Sequence, residues 1–149
     1  MPIDNMTDND LLHKFIFDNT DIRGEIVTLN NSLDEMLISQ SYPASVKQLL
    51  GEFMAAVALL SSTLKFDGIL TLQARGDGPL PLIMAEVSNS AANSNKQLRC
   101  VAKLSTSSDR DDINELLLNS VLPNLIGKGI LSIIIDLTKC NRYLGIFPL

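Results

Sequence analysis

The chain has 149 residues, of which 46% are hydrophobic and 19% charged, so it can bury one sizeable core as a single domain. A formal net charge of −5, with no local cluster of basic residues, argues against nucleic acid as a partner. The acidic start lacks the basic and apolar regions of a signal peptide, and the longest apolar run falls short of the roughly 20 residues of a membrane-spanning helix. We therefore expect a cytoplasmic protein without a membrane partner.

A β-hairpin is predicted near the N-terminus. Apolar residues alternate on both sides of a polar corner at 18–21, which is the period-two pattern of two strands over residues 11–29. Gly24 lies inside the second strand, where a glycine marks either a bulge or a close approach of another group to the backbone.

Two helices are predicted next. Ser32 and Glu35 have the spacing of a capping box, which predicts a short helix over residues 32–39. The second helix begins at residue 43 or 45, where a proline in the first turn is tolerated, and ends near residue 64. Its apolar residues surround the whole circumference, so we expect it to be buried between sheets.

The string Arg75-Gly76-Asp77-Gly78 has three interpretations: a phosphate-binding loop, a cell-adhesion tripeptide and a turn. A phosphate-binding loop lies between a strand and a helix, so that the helix N-terminus faces the anion. Here alternating, strand-like residues flank the string on both sides, at 69–75 and 80–87. The adhesion interpretation needs an extracellular protein. We therefore predict a β-hairpin with an Asp-Gly turn.

The remaining pattern completes an α+β fold. In chain order it predicts a loop at 88–95, a strand at 97–104, a helix at 113–122 and strands at 130–137 and 143–147. Because the strands arrive as hairpins around one apolar helix, we predict a three-layer β/α/β sandwich of antiparallel hairpins around one buried helix.

No catalytic or metal-binding arrangement can be argued from spacing. His13 is the only histidine and has no nearby cysteine to complete a zinc site, so a structural role is expected. Nothing in the sequence brings Glu25 and Glu52 together as a catalytic pair. Cys100 and Cys140 suit neither a C-x-x-C motif nor a disulfide framework, and each is expected to be a half-buried thiol. We expect no enzyme; the alternative is a small cytosolic enzyme or nucleotide-binding domain with an unrecognised site.

Four strings carry a family resemblance. In chain order they are Arg23-Gly24-Glu25, Tyr42-Pro43, the Leu-Lys-Phe-Asp-Gly of residues 64–68, and Gly76-Asp77-Gly78-Pro79. This order resembles the N-terminal core domain of the bacterial redox-regulated 33-kilodalton heat-shock chaperone (33 kDa chaperonin) family, from about residue 11 to the end. The resemblance implies a sheet–helix–sheet sandwich. It also implies an ATP-independent holdase that binds unfolded client proteins under oxidative and heat stress, as a homodimer.

The chain departs from the family pattern at its C-terminal end. The family's switch is a C-terminal module whose C-x-C and C-x-x-C motifs hold zinc when reduced and release it when oxidised. Cys100 and Cys140 match none of those cysteines. We therefore interpret residues 1–149 as one truncated chaperone core domain without the linker and the zinc-binding redox module. A folded remnant with no activity of its own is the competing interpretation.

The predicted strand at 130–137 is apolar on both faces. One face can cover the buried helix, and Ile130 and Ile134 on the other face then need another cover. An unpaired strand edge also invites pairing with another chain. We expect Ile130 and Ile134 at or near a homodimer interface and at the client contact. The alternative is that the predicted helix at 113–122 covers them.

We predict that this chain neither binds zinc nor acts as a redox switch. A closed structural zinc site usually takes four ligands, whereas the only two cysteines are separated by a strand-rich stretch. Zinc is expected only in the family's C-terminal module, and no cofactor in this chain. Elemental analysis of protein purified with and without added zinc should give well under one zinc per chain. Stoichiometric, tightly held zinc would refute the prediction.

Overall fold

Seven strands and three helices lie within the described residues. The structure, a computed structural model, describes residues 10–90, 93–105, 122–139 and 141–149. β1 and β2 form an antiparallel two-stranded sheet, and the other five strands form an antiparallel sheet in the order β5-β4-β3-β6-β7. In chain order the elements are β1 (Leu11–Ile16), β2 (Arg23–Thr28), α1 (Asn31–Ile38), α2 (Ala44–Thr63), β3 (Gly68–Gly76), β4 (Leu82–Ser90), β5 (Asn93–Lys103), α3 (Leu122–Ile126), β6 (Gly129–Leu137) and β7 (Tyr143–Pro148).

Helix α2 lies between the two sheets and supplies much of the core. It packs on β3, β4 and β5 on one side and on β2 on the other. The predicted α+β fold, a three-layer β/α/β sandwich of antiparallel hairpins around a buried helix, is confirmed. The buried residues of α2 are Val46, Leu49, Leu50, Phe53, Met54, Val57, Ala58 and Ser61.

The two sides of α2 are covered unequally. Ala55, Leu59 and Ser62 share one helical face by their spacing and are only half-buried, whereas Met54 and Val57 are fully buried. The small two-stranded sheet therefore covers the helix less completely than the five-stranded sheet does. By length and composition α2 is also the one described helix that could span a membrane. Its packing between sheets accounts for the same apolar composition.

The inner face of the five-stranded sheet is apolar. Leu70, Leu72 and Ala74 of β3 are buried in the core cluster that includes α2. Each of the three belongs to a row of paired residues that crosses β4, β3 and β6. The rows, in that strand order, are Val87, Leu70 and Ile135; Ala85, Leu72 and Ile133; and Ile83, Ala74 and Leu131.

Of the predicted loop at 88–95, residues 88–90 and 93–95 lie in strands instead. Strand β4 continues to Ser90 and β5 begins at Asn93, and these two residues pair after a register irregularity that follows Ser88. Backbone pairing satisfies the N–H and C=O groups whatever the side chains are. A polar composition was therefore a poor guide to a loop at this position.

The predicted capping box at Ser32 is also wrong. Helix α1 begins at Asn31 and has no side-chain cap at Asn30. Ser32 donates its backbone N–H to the Asp10 carboxylate at 3.1 Å, and its hydroxyl bonds to the same oxygen. The carboxylate of Asp10, which precedes β1 in the chain, thus lies at the first turn of α1, where the helix dipole favours a negative charge.

Gly24 permits a close approach and not a bulge. Pairing of β1 with β2 is uninterrupted from Leu11 opposite Thr28 to Ile16 opposite Arg23. The Phe15 ring lies over Gly24, where any Cβ atom would collide with it. The close-approach alternative is therefore the correct one.

The glycine string at 76–79 forms the predicted hairpin and also anchors α3. β3 ends at Gly76 and β4 begins at Leu82, so residues 77–81 connect the two strands. The Gly78 N–H donates to the Ile126 carbonyl at 2.7 Å, and the Leu80 N–H donates to the Leu125 carbonyl at 2.9 Å. A Cβ on Gly78 would collide with the backbone of α3, so this contact requires glycine.

Two predictions fall outside the described residues. The first is the helix predicted at 113–122, of which only Leu122 is described, in α3. The second is the prediction that Cys140 is a half-buried thiol.

Leu50→Ala is expected to lower the free energy of unfolding by about 2–5 kcal/mol, because truncating this fully buried side chain leaves a cavity beside the sheet. Ile38→Ala, at the end of α1, removes a side chain that is 86% exposed and should lower the free energy of unfolding by less than about 0.5 kcal/mol. Urea unfolding followed by circular dichroism measures both. Equal losses in the two variants would contradict the position assigned to α2.

Candidate protein-binding surface

Exposed large apolar side chains are concentrated at two places in the described residues. Single exposed apolar side chains are ordinary, whereas clusters of them mark binding sites. The first cluster, called the β7 surface, includes both faces of the sheet at its β7 edge: the exposed Ile130, Tyr143, Leu144, Ile146 and Phe147, with the half-buried Ile134 beside them. The second, called the hairpin surface, comprises Leu11, Phe15, Phe17, Ile22 and Ile26.

Ile130 and Ile134 lie on the sheet face that points away from α2. Ile134 pairs with Leu144, and Ser132 between the two isoleucines pairs with Ile146. Ile130 is 39% exposed, Ile134 is half-buried, and the two β7 residues are 56% and 54% exposed. The structure therefore brings both predicted residues onto one apolar face with β7. Their role in client or dimer contact stays a prediction.

The opposite face of β7 is apolar as well. Tyr143 pairs with Ile135 and Phe147 pairs with Leu131, so both aromatic residues extend the inner rows of the sheet. Tyr143 is 63% exposed and Phe147 50%, although Ile135 and Leu131 pack against the core. At β7, the inner face of the sheet is therefore no longer covered by α2.

β7 is also an edge strand. Within the described part of the chain it pairs with β6 alone. Natural edge strands commonly carry lysine or other charges that discourage pairing with further chains. β7 has the sequence YLGIFP, which contains no charged residue. Its free edge can therefore accept another extended segment.

Sequence reasoning missed the four β7 members of this surface. A signal was available, because Tyr143 and Phe147 alternate with Leu144 and Ile146, which makes both faces of the strand apolar. The same pattern in β6 had directed attention to Ile130.

The hairpin surface consists of the outward residues of β1, β2 and their turn. Phe15 and Phe17 make an edge-to-face contact with ring centroids 5.6 Å apart. His13 pairs with Ile26 in the outward row and is exposed, which is a surface position of the kind expected for it. Glu25 and Glu52 have different partners, since Glu52 accepts a hydrogen bond from Gln48 and Glu25 contacts the hairpin and α2.

A polar cluster, called here the helix clamp, fastens the inner side of the hairpin to the C-terminal end of α2. Lys14 donates to the Ser62 carbonyl at 2.9 Å and lies 3.2 Å from the Glu25 carboxylate. The Ser62 hydroxyl donates to Glu25. From β5, Lys96 donates to the carbonyl of Ser61 at 3.1 Å and to its hydroxyl at 3.0 Å. Two cations therefore lie at a helix end that favours positive charge.

Two groups of the clamp, Glu25 and Lys96, have shifted pKa values. The hydrogen bond from Ser62 lowers the pKa of Glu25, and Lys14 and Lys96 lower it further against an opposing effect of burial. Burial lowers the pKa of Lys96, with the positive charge of Lys14 adding to the effect. Glu25 is thus held charged between two lysines.

Cys100 is half-buried on the inner face of β5, with its sulfur 3.7 Å from the Met36 sulfur. Burial raises the pKa of the thiol, which keeps it protonated and unreactive. The described residues contain no group of three or more His, Cys, Asp or Glu side chains placed to hold a metal ion.

A filled α+β sandwich with two clusters of exposed apolar side chains has the features of a protein-binding module. Comparison with protein families gives its affiliation. The family model described as "Hsp33 protein" matches residues 10–149, and the chain belongs to this family.

Curated relatives agree with that affiliation. The chain is 45% identical over 141 residues to the 33 kDa chaperonin of Ectopseudomonas mendocina, covering 95% of this chain and 44% of the relative. It is 42% identical over 144 residues to the 33 kDa chaperonin of Azotobacter vinelandii, covering 97% of this chain and 44% of the relative. The chain thus spans less than half the length of the curated relatives it matches.

A solved structure supports the fold. The crystal structure of the 33 kDa chaperonin from Thermotoga maritima superposes with a TM-score of 0.69 at 18% sequence identity. The match covers 93% of this chain and 45% of that one. At this identity the likeness establishes the fold alone.

Proposed function

We propose that this chain is the client-binding core of an ATP-independent holdase, which sequesters unfolded proteins on exposed apolar surface under oxidative and heat stress. The observation that carries the proposal is the family match over residues 10–149, with relatives named as 33 kDa chaperonins. Redox regulation is left to the longer relatives, of which this chain covers about 44%.

The β7 surface suits this role physically. Covering apolar area yields roughly 25 cal/mol per Å², independent of the client's sequence. The free edge of β7 can add main-chain hydrogen bonds to an extended client segment, and these are equally independent of side chains. Together the two effects favour binding to unfolded chains in general.

The proposal assigns no reaction and no cofactor to the chain, and places it in the cytoplasm without nucleic-acid or membrane partners. The acidic net charge supports the part that concerns nucleic acid, because neutralising phosphates needs clustered lysine and arginine.

The proposal predicts that the chain suppresses light scattering by a chemically unfolded client at near-stoichiometric ratio. Ile130→Asp with Ile134→Asp should weaken this protection about tenfold or more, since a covered isoleucine contributes about 1.5–3 kcal/mol. Ile38→Asp is the control, because Ile38 is exposed but lies outside the β7 surface. Circular dichroism verifies that each variant is folded.

An oxidised full-length relative, such as the 33 kDa chaperonin of Pseudomonas aeruginosa, is assayed beside the chain. Protection by the relative alone would identify the chain as a folded remnant without activity. If neither protein protects the client, the holdase proposal is wrong.

We also propose that the chain forms a homodimer through the β7 surface. Sedimentation velocity at micromolar concentration should show a dimer for the wild-type chain and a monomer for the Ile130→Asp, Ile134→Asp variant, since two carboxylates in an apolar interface are costly to desolvate. A monomeric wild type removes the dimer from the proposal, whereas an unaffected dimer in the variant places its interface elsewhere.

A further inference from the structure

The β1–β2 hairpin buries few of its side chains against the rest of the molecule. Neither of its strands contains a fully buried residue, whereas β3 alone contains four. Leu12 and Val27 on its inner side are half-buried. A two-stranded sheet is at best marginally stable alone, so the position of the hairpin depends on what fastens it to α2.

The helix clamp is a principal polar fastening. Its hydrogen bonds from Lys14 and Ser62 cross from the hairpin to the last turn of α2. Ala55 and Leu59 lie one and two turns earlier on the same helical face as Ser62. Both are half-buried, so the hairpin covers an apolar stripe that ends at the clamp.

We propose that the helix clamp is a releasable latch, and that its opening swings the hairpin away to expose the α2 face of Ala55 and Leu59 as a second client-binding surface. This inference rests on the proposed holdase function for the identity of the ligand. The opening itself can be measured without any client.

Glu25 is the group whose charge keeps the latch closed. Lys14 from β1 and Lys96 from β5 both act on it, and the Ser62 hydroxyl from α2 donates to it. Removing the negative charge leaves two lysines facing each other with no anion between them. Because the Glu25 side chain is 18% exposed and that of Lys14 56%, dissolved salt also weakens the pair.

The pH dependence follows from the lowered pKa of Glu25. A carboxylate with a lowered pKa in the folded state stabilises it above the ordinary value of 4.5, and that contribution is lost as pH falls through the lowered pKa. The latch is therefore closed at neutral pH and opens in acid. Salt is the lever available at neutral pH.

Hydrogen exchange tests the latch without reference to any client. Glu25→Gln should speed amide exchange in β1 and β2 by about twofold to fivefold, the range expected for a partly exposed ion pair. Glu86→Gln is the matched control, because Glu86 is 20% exposed and pairs with Arg99 at 3.0 Å away from the hairpin. Raising the salt concentration should speed the same amides in the wild type and have less effect in Glu25→Gln. The latch proposal is wrong if the amides of β1 and β2 exchange equally fast in Glu25→Gln and Glu86→Gln and if salt does not change their exchange in the wild type.

A cross-link tests the second client surface. In a Cys100→Ser, Cys140→Ser background, Glu25→Cys and Ser62→Cys are joined by a short bis-maleimide, so that one protein is compared open and closed. The open form should bind more of an environment-sensitive hydrophobic dye and protect a client at a lower ratio than the closed form. Equal dye binding and protection by the two forms overturn the surface. If neither form protects a client while dye binding still differs, the holdase function fails and the latch stands.

Discussion

One α-helix cannot cover a five-stranded sheet, and much of this structure follows from that constraint. A helix with its side chains is about 10–12 Å across, whereas five strands spaced about 4.8 Å apart span roughly 19 Å between the outer two. Helix α2 packs on β3, β4 and β5. The apolar rows of the inner face nevertheless continue through β6 to Tyr143 and Phe147. An apolar row that one helix cannot reach is the physical basis of the inner-face part of the β7 surface, Tyr143 and Phe147, whereas its other members lie on the opposite face of the sheet.

The other side of α2 shows a different solution to the same problem. There the cover is a hairpin that buries little and makes polar contacts with the C-terminal end of the helix. Apolar packing loses little when the salt concentration or a single charge changes, whereas a partly exposed ion pair responds to both. The sandwich therefore joins one permanent interface to one adjustable interface around a single helix.

The periodic parts of the fold could be predicted from the sequence. The alternation of apolar and polar residues predicted the strands on both sides of Gly76. The apolar residues around the whole circumference of 44–63 predicted the central helix. Both predictions succeeded because burial of an element determines which of its positions must be apolar. Residues 88–90 and 93–95 were wrongly predicted as a loop, because pairing at the end of a sheet places no demand on side-chain polarity. The cap of α1 was missed because its partner, Asp10, is distant in sequence. The residues of the helix clamp come from β1, β2, α2 and β5. Their contacts could not be predicted, because no local sequence pattern indicates which distant elements lie side by side. Ile130 and Ile134 were correctly placed on one apolar face, and their function stays a prediction.

The loop between β3 and β4 has a consequence for how this family can vary. Its Pro79 carbonyl accepts a hydrogen bond from the Ser105 N–H at 2.9 Å, and its Leu80 N–H donates to Leu125. The chain therefore leaves the end of β5 and returns at α3 beside the same few residues. Once two ends of a segment are fixed close together, the entropy of closing it grows only with the logarithm of its length. Evolution can lengthen or shorten the stretch between them at little cost to the sheet, which makes this corner a natural site for inserting new sequence.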